Sequence, residues 1–192
     1  MQQRLSSENS LLVVIDVQER LLPAIQNHQQ ILFNVRRLIE GTRLFSVPVV
    51  VSEQYPQGLG STVKELASYF TEGTAVLSKK SFSVYDNEYI RTEIFSRKKS
   101  QIILCGIEAH VCVLQSAFDL FRAGGQEIYI VVDAIGSRFA GDMETALRRF
   151  ETSGMVLTTT ESLLFEWCRS AEHPQFKEVS RLAKEPATGF NR

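Results

Sequence analysis

The sequence predicts an α/β protein built on a doubly wound, six-stranded parallel sheet with helices on both faces. Two observations carry this. Short apolar, β-branched runs recur six times along the 192 residues, and continuous rather than alternating runs suit strands covered on both sides. Segments with apolar residues at helical spacing lie between them, and strand–helix alternation of this kind builds parallel sheets through crossovers.

The first strand is expected over 11–16, "LLVVID", after a polar start, "MQQRLSSENS", that lacks the apolar stretch of a signal peptide. A long helix follows, with Ile31, Val35, Leu38, Ile39, Thr42 and Phe45 on one face. "VPVVVS" (47–52) is the second strand. "GLGST" (58–62) is then a turn entering a helix, with Thr62 and Glu65 in capping-box spacing. "TAVLS" (74–78) is the third strand, and Asp86 is placed to cap "NEYIRTEIFSRKK". "SQIILCG" (100–106) is the fourth. The helix beginning near His110 lines up Val113, Ala117, Leu120 and Phe121, and Gly124–Gly125 closes it. "EIYIVVD" (127–133) is the fifth strand, followed by a helix facing inward through Met143, Ala146, Leu147 and Phe150. "MVLTT" (155–159) is the sixth, with Thr158 and Glu161 spaced as a capping box before "SLLFEWC". The whole chain, 1–192, fits one domain with its core over about 11–168. The polar tail, 169–192, suits a short helix on the surface or against a neighbouring subunit.

Composition removes several classes. The chain is 44% hydrophobic and 22% charged, with a formal net charge of −1. Lys and Arg are scattered singly or in pairs, so no basic stripe argues for nucleic acid. No run of about 18 apolar residues argues for a membrane span, and a cytoplasmic protein is expected. Three cysteines without CxxC spacing, and three histidines far apart from one another without HExxH spacing, suit neither a disulfide framework nor a zinc cluster. GxGxxG, GxxxxGK[ST] and GxSxG are absent, so no nucleotide cofactor and no serine elbow are expected.

In doubly wound sheets ligands bind outside the carboxyl ends of the strands, so residues just after strands carry the functional argument. Asp16 closes the first strand. It is either an N-cap for "QERLLPAI" or a base or charge partner in a cleft. Lys79 and Lys80 follow the third strand, either as solvated loop lysines or with one drawn into the cleft on its apolar stem. Cys112 lies in the first helical turn after the fourth strand. It is either an inert buried thiol or a nucleophile, with the helix N-terminus favouring a thiolate and an oxyanion. His110, two residues earlier, points roughly 200° away around a helix, which makes it a rim or capping residue rather than the base for Cys112.

Asp16, Lys79 and Cys112 after strands one, three and four resemble the isochorismatase-like cysteine hydrolases, which include nicotinamidases and N-carbamoylsarcosine amidases. The motifs that carry the likeness are "VVIDVQERLLPAI", "KKSFS", "GIEAHVCVLQSAFDL" and "VVDAIGSR", and "SEQYPQGLGSTVKEL" is similar to the isochorismatase domain-containing branch. The resemblance covers roughly Leu11 to Trp167. It implies strand order 3-2-1-4-5-6 and an Asp16–Lys79–Cys112 triad, with Lys80 as the alternative lysine. It also implies a cis peptide at Ile107–Glu108 and an oxyanion hole from the Glu108 and Cys112 backbone N–H groups. The reaction implied is hydrolysis of a small molecule at an amide-type C–N bond through a thioester. Homo-oligomers, dimers or tetramers, are usual in the family. Nicotinamidases carry an Asp-x-His metal motif where this chain has "SEQYPQGLG" without His, so no metal is expected. Gln18, Tyr55, Phe82, Tyr85, His110 and Ile135 are candidate pocket-lining residues.

Overall fold

The structure, a computed structural model, describes residues 4–186. Six parallel strands form one sheet in the order β3-β2-β1-β4-β5-β6. They are β1 Ser10–Ile15, β2 Val49–Gln54, β3 Ala75–Lys79, β4 Gln101–Ile107, β5 Glu127–Gly136 and β6 Val156–Thr158. The helices are α1 His28–Phe45, α2 Pro56–Leu59, α3 Lys64–Ala67, α4 Glu88–Ser96, α5 Leu114–Ala123, α6 Ala140–Thr152, α7 Thr160–Cys168 and α8 Phe176–Lys184. Among the described residues no helix is long and apolar enough to cross a membrane.

The period of two along β1 splits its buried side chains between two cores. Leu12 and Val14 join Ile31, Val35 and Leu38 of α1, Leu163 and Trp167 of α7, and Val179 and Leu182 of α8. Leu11, Val13 and Ile15 join Ile90 and Ile94 of α4, Ala117 and Leu120 of α5, and Ala146 and Phe150 of α6. The continuous apolar runs are thus explained by burial on both faces, and the order reverses between β1 and β4.

Several local expectations shift by a residue. Asn87, not Asp86, caps α4, its side chain accepting from the Ile90 N–H at 3.1 Å. Thr159, not Thr158, caps α7 by accepting from Ser162 N–H, while Thr158 ends β6. Thr62 caps nothing. Its N–H and hydroxyl both donate to Glu53 Oε1, at 2.7 and 2.8 Å, because the loop is tied back to β2 before α3 begins. Phe121 turns outward from α5 and is 41% exposed. β5 runs to Gly136, past a register shift opposite Leu104–Gly106, which brings Ile135 into the strand.

The tail packs on its own chain. Val179 and Leu182 of α8 are fully buried against α1 and α7. Arg181 and Glu185 exchange ion pairs with Glu40 and Arg36 of α1. Residues 187–192 of that segment lie outside the described residues.

Candidate active site

The site forms where β1 and β4 part, and Gly106 is the first requirement. Ile15 and Gly106 face each other across the pair. Gly106 has φ +114°, and a Cβ there would lie 2.0 Å from the Ile15 carbonyl oxygen. Only glycine permits that approach. The residue that follows β1, Asp16, has φ 54°, a left-handed conformation that Asp tolerates better than most. Asp16 is wholly buried, and its N–H donates to Ser52 O at 3.1 Å.

Each Asp16 oxygen has a fixed partner. Ser52 Oγ donates to Oδ1 at 2.7 Å, and Lys79 Nζ donates to Oδ2 at 2.6 Å. Neither side chain of that ion pair is exposed. Lys79 Nζ also donates to Gln54 Oε1 at 2.7 Å. A buried pair of this kind depends on such extra hydrogen bonds, since isolated buried charges cost several kcal/mol each. Lys80, by contrast, is exposed to solvent. Asp16 is therefore no helix cap, and Lys79 is the lysine in the cleft.

Beyond β4 the peptide between Ile107 and Glu108 is cis. Residues Ala109–Val113 then form one π turn before α5. The Glu108 carbonyl accepts from the N–H groups of both Val111 and Val113, at 3.1 and 3.2 Å, while the Glu108 N–H donates to nothing among the described residues. Cys112 sits in this turn, 5% exposed, close enough to Asp16 and Lys79 for both to act on its thiol.

The thiol is not activated at rest. Burial, then the Asp16 charge, push its pKa up to about 12, against a smaller opposing pull from Lys79. The turn's N-terminal position alone would lower that pKa. Burial outweighs it, and two of the turn's N–H groups are already taken by Glu108. A thiol held in this state gives up its proton only to an acceptor, and the charge nearest it that raises its pKa is that of Asp16.

The remaining sequence candidates divide. Gln18 is buried and fully used as a brace: its amide donates to Gln54 O and Gly60 O and accepts from Gln54 N–H. His110 turns away from Cys112, its Nδ1 lying 2.9 Å from Ser137 Oγ and its Nε2 3.6 Å from Asp142 Oδ2. Tyr55 shares a cavity of about 390 Å³ with Lys79 and Lys80. Ile135 lines a different one of about 400 Å³ with Ser137 and Met143. Phe82 is 53% exposed. Tyr85 packs edge-on against Phe95. Among the described residues no group of three or more His, Cys, Asp or Glu is arranged to hold a metal ion.

Sequence reasoning missed Ser52, Gln54 and Arg138. Ser52 and Gln54 close the apolar run of β2 beside β1, and the strand-end rule that selected Asp16 selects them too. Arg138 is joined to Glu108 through Nε at 3.0 Å, and nothing local in the sequence announces that pairing.

A doubly wound parallel sheet with a buried thiol, carboxylate and ammonium near its switch point defines the class of α/β protein. Comparison with known proteins places the chain more closely. The family model described as "Isochorismatase domain" matches residues 10–162. Isochorismatase domain-containing protein 2 of Danio rerio is 40% identical over 185 residues, 96% of this chain and 91% of that protein. A solved structure described as the MAR1 ribonuclease of Caenorhabditis elegans superposes with a TM-score of 0.89 at 39% identity, covering 99% of this chain and 98% of that one. Escherichia coli YcaC, described as an octameric hydrolase of unknown specificity, shares the fold with a TM-score of 0.89 at 22% identity over 95% of this chain and 90% of its own. The chain belongs to the isochorismatase family, and that membership supports hydrolase activity.

Proposed function

We propose that this protein is a metal-independent cysteine hydrolase that cleaves an amide-type C–N bond of a small molecule through a thioester. The observation that carries the reading is the Cys112 thiol lying against the buried Asp16–Lys79 pair. Asp16 accepts the thiol proton as sulfur attacks the carbonyl carbon, and Lys79 offsets the negative charge that then sits on sulfur and on the substrate. The Glu108 and Cys112 N–H groups hold the oxyanion; a donor of that kind is typically worth about 3–4 kcal/mol. Asp16 returns the proton to the departing amine. Water, deprotonated by Asp16, then splits the thioester and restores the thiol. Ser52 and Gln54 keep the carboxylate and ammonium in register.

The test is an amide screen followed by peptide mass analysis. Cys112→Ala is expected to lower turnover of any substrate found by at least a hundredfold, and the acyl adduct is expected on the Cys112 peptide of the wild type. Full turnover by Cys112→Ala would remove the covalent mechanism. A redox-sensing role suits Cys112 less well, because a thiol held at about 12 is mostly protonated and slow to oxidise. The likeness to the nematode ribonuclease structure makes RNA a second substrate to assay. A net charge of −1 offers little of the phosphate neutralisation that RNA binding draws on. The same reading keeps a self-associating protein, which sizing by light scattering tests directly.

A further inference from the structure

Two residues before Cys112, His110 turns both ring nitrogens toward the connection between β5 and α6. Nδ1 lies 2.9 Å from Ser137 Oγ, and Nε2 lies 3.6 Å from Asp142 Oδ2. Ser137 follows β5 directly and is buried. Its carbonyl accepts from the Gln26 N–H at 3.3 Å, which ties the connection to the segment ahead of α1. Asp142 lies in the first turn of α6. At 3.6 Å its contact with Nε2 is too long for a hydrogen bond, but a carboxylate there favours the tautomer with its proton on Nε2. Nδ1 then accepts from the Ser137 hydroxyl. The neighbouring charges, Glu108 and Arg138, pair with each other.

This contact grips the turn that carries the thiol. Ala109–Val113 form a single π turn, closed where the Val113 N–H donates to the Glu108 carbonyl at 3.2 Å. Such turns are rare and occur singly, so side chains decide how this one is held. Ala109 and Val113 pack into the core that contains Ile135 and Ala146. His110 and Cys112 are the two polar side chains of the turn. Cys112 is close to Asp16 and Lys79, while His110 meets Ser137, so the two brace the turn from different sides. A rotation of the turn that exposed the thiol would first have to break the His110–Ser137 hydrogen bond.

We propose that His110 is a positioning residue for Cys112: through Ser137 it fixes the rotation of the π turn, and with it the aim of the thiol at Asp16. This rests on Cys112 being the nucleophile, and it gives His110 no contact with substrate.

The pH profile of Cys112 alkylation by iodoacetamide tests this in the full chain, read from the mass of the Cys112 peptide. The thiolate sulfur bonds to the methylene carbon as iodide leaves with its electron pair. Burial and the Asp16 charge push the thiol up to about 12 against the pull of Lys79, so the wild-type rate should still be rising at pH 11. In His110→Ala the turn is free to rotate and the thiol gains water. Its rate at pH 8 should rise about fivefold, the scale of one hydrogen bond. Ser137→Ala should do the same, and the two changes together should add little to either alone. Asn carries an amide oxygen near the place of Nδ1, so His110→Asn should return the profile to within about twofold of the wild type. His110→Gln, whose amide extends toward Asp142 instead, should behave as His110→Ala. Unchanged rates in His110→Ala and Ser137→Ala overturn the proposal and leave the nucleophile standing. Equal acceleration in His110→Ala and His110→Asn overturns it too, because the ring would then serve only as packing. No labelling of wild-type Cys112 even at pH 11 overturns the nucleophile and the proposal together. One measurement requires no variant to fold. Nitrogen-15 spectra of the wild-type imidazole should show a single tautomer at His110, with its proton on Nε2, and the tautomer mixture of free histidine would overturn the proposal.

Discussion

Asp16 and Lys79 act on Cys112 in opposite senses, and this separates reactivity from catalysis. The Asp16 charge holds the thiol protonated, while Lys79 favours the thiolate. Asp16→Asn should therefore speed alkylation of Cys112 by iodoacetamide near pH 8 by about tenfold and yet, on the proposed mechanism, cut turnover by at least a hundredfold, because that mechanism assigns Asp16 as the proton acceptor. Equal loss of both would mean that Asp16 only supports the fold, so a melting curve accompanies the assay. The raised pKa also has a consequence for stability. An unfolded thiol titrates near 8.5, whereas burial and the Asp16 charge hold that of Cys112 at about 12. The folded chain keeps a proton that the unfolded chain releases between those values, so this contribution is complete below about pH 8.5 and lost as pH rises toward 12. Cys112→Ala should show a shallower decline in urea stability between pH 9 and 11 than the wild type. At this scale Asp16, Lys79 and Cys112 stood out as polar residues at strand ends, each with a structural alternative, and only the family resemblance grouped them. The direction of the thiol's pKa was not legible, since it depends on burial and on two residues distant in sequence.

Strands and turns set the positions of these groups, and Gly106 is where the constraint is tightest. A methyl group there would overlap the Ile15 carbonyl at 2.0 Å, on a backbone with φ +114°. Gly106→Ala should cost more than about 3 kcal/mol in urea unfolding, or prevent folding. A loss under about 1 kcal/mol would show that β1 and β4 separate more easily than this contact allows. All six strands could be read from their apolar runs; burial on both faces explains this for β1 and β4, while β3 and β6 at the edges are only partly buried. The caps could not be placed to the residue. Asp86 and Asn87 are chemically equivalent caps in the sequence, as are Thr158 and Thr159, and only the entry angle of each helix chooses between them. The π turn at Ala109–Val113 was likewise hidden, since a helical apolar pattern fits it almost as well as an α turn.

Across the whole molecule, stability and chemistry occupy opposite ends of the sheet. Trp167, at the end of α7, donates from Nε1 to Ser10 Oγ at 3.0 Å, and Ser10 begins the strand whose other end leads to Asp16. Six residues of strand separate them, about 20 Å at 3.3 Å per residue. α8 packs against α7 and α1 through Val179 and Leu182, both fully buried. The sequence marked this tail only as thinly apolar, and two residues one turn apart proved enough to seat it. Leu182→Ala should then cost about 2–5 kcal/mol in urea unfolding, the usual range for a leucine removed from a packed core. Because the lost contact lies at the amino-terminal end, the rate of Cys112 alkylation in the folded variant should stay within about twofold of the wild type. A tenfold change in that rate, with the fold intact by circular dichroism, would show that α8 is coupled to the site through α1. The separation of the two ends argued from strand length would then be wrong.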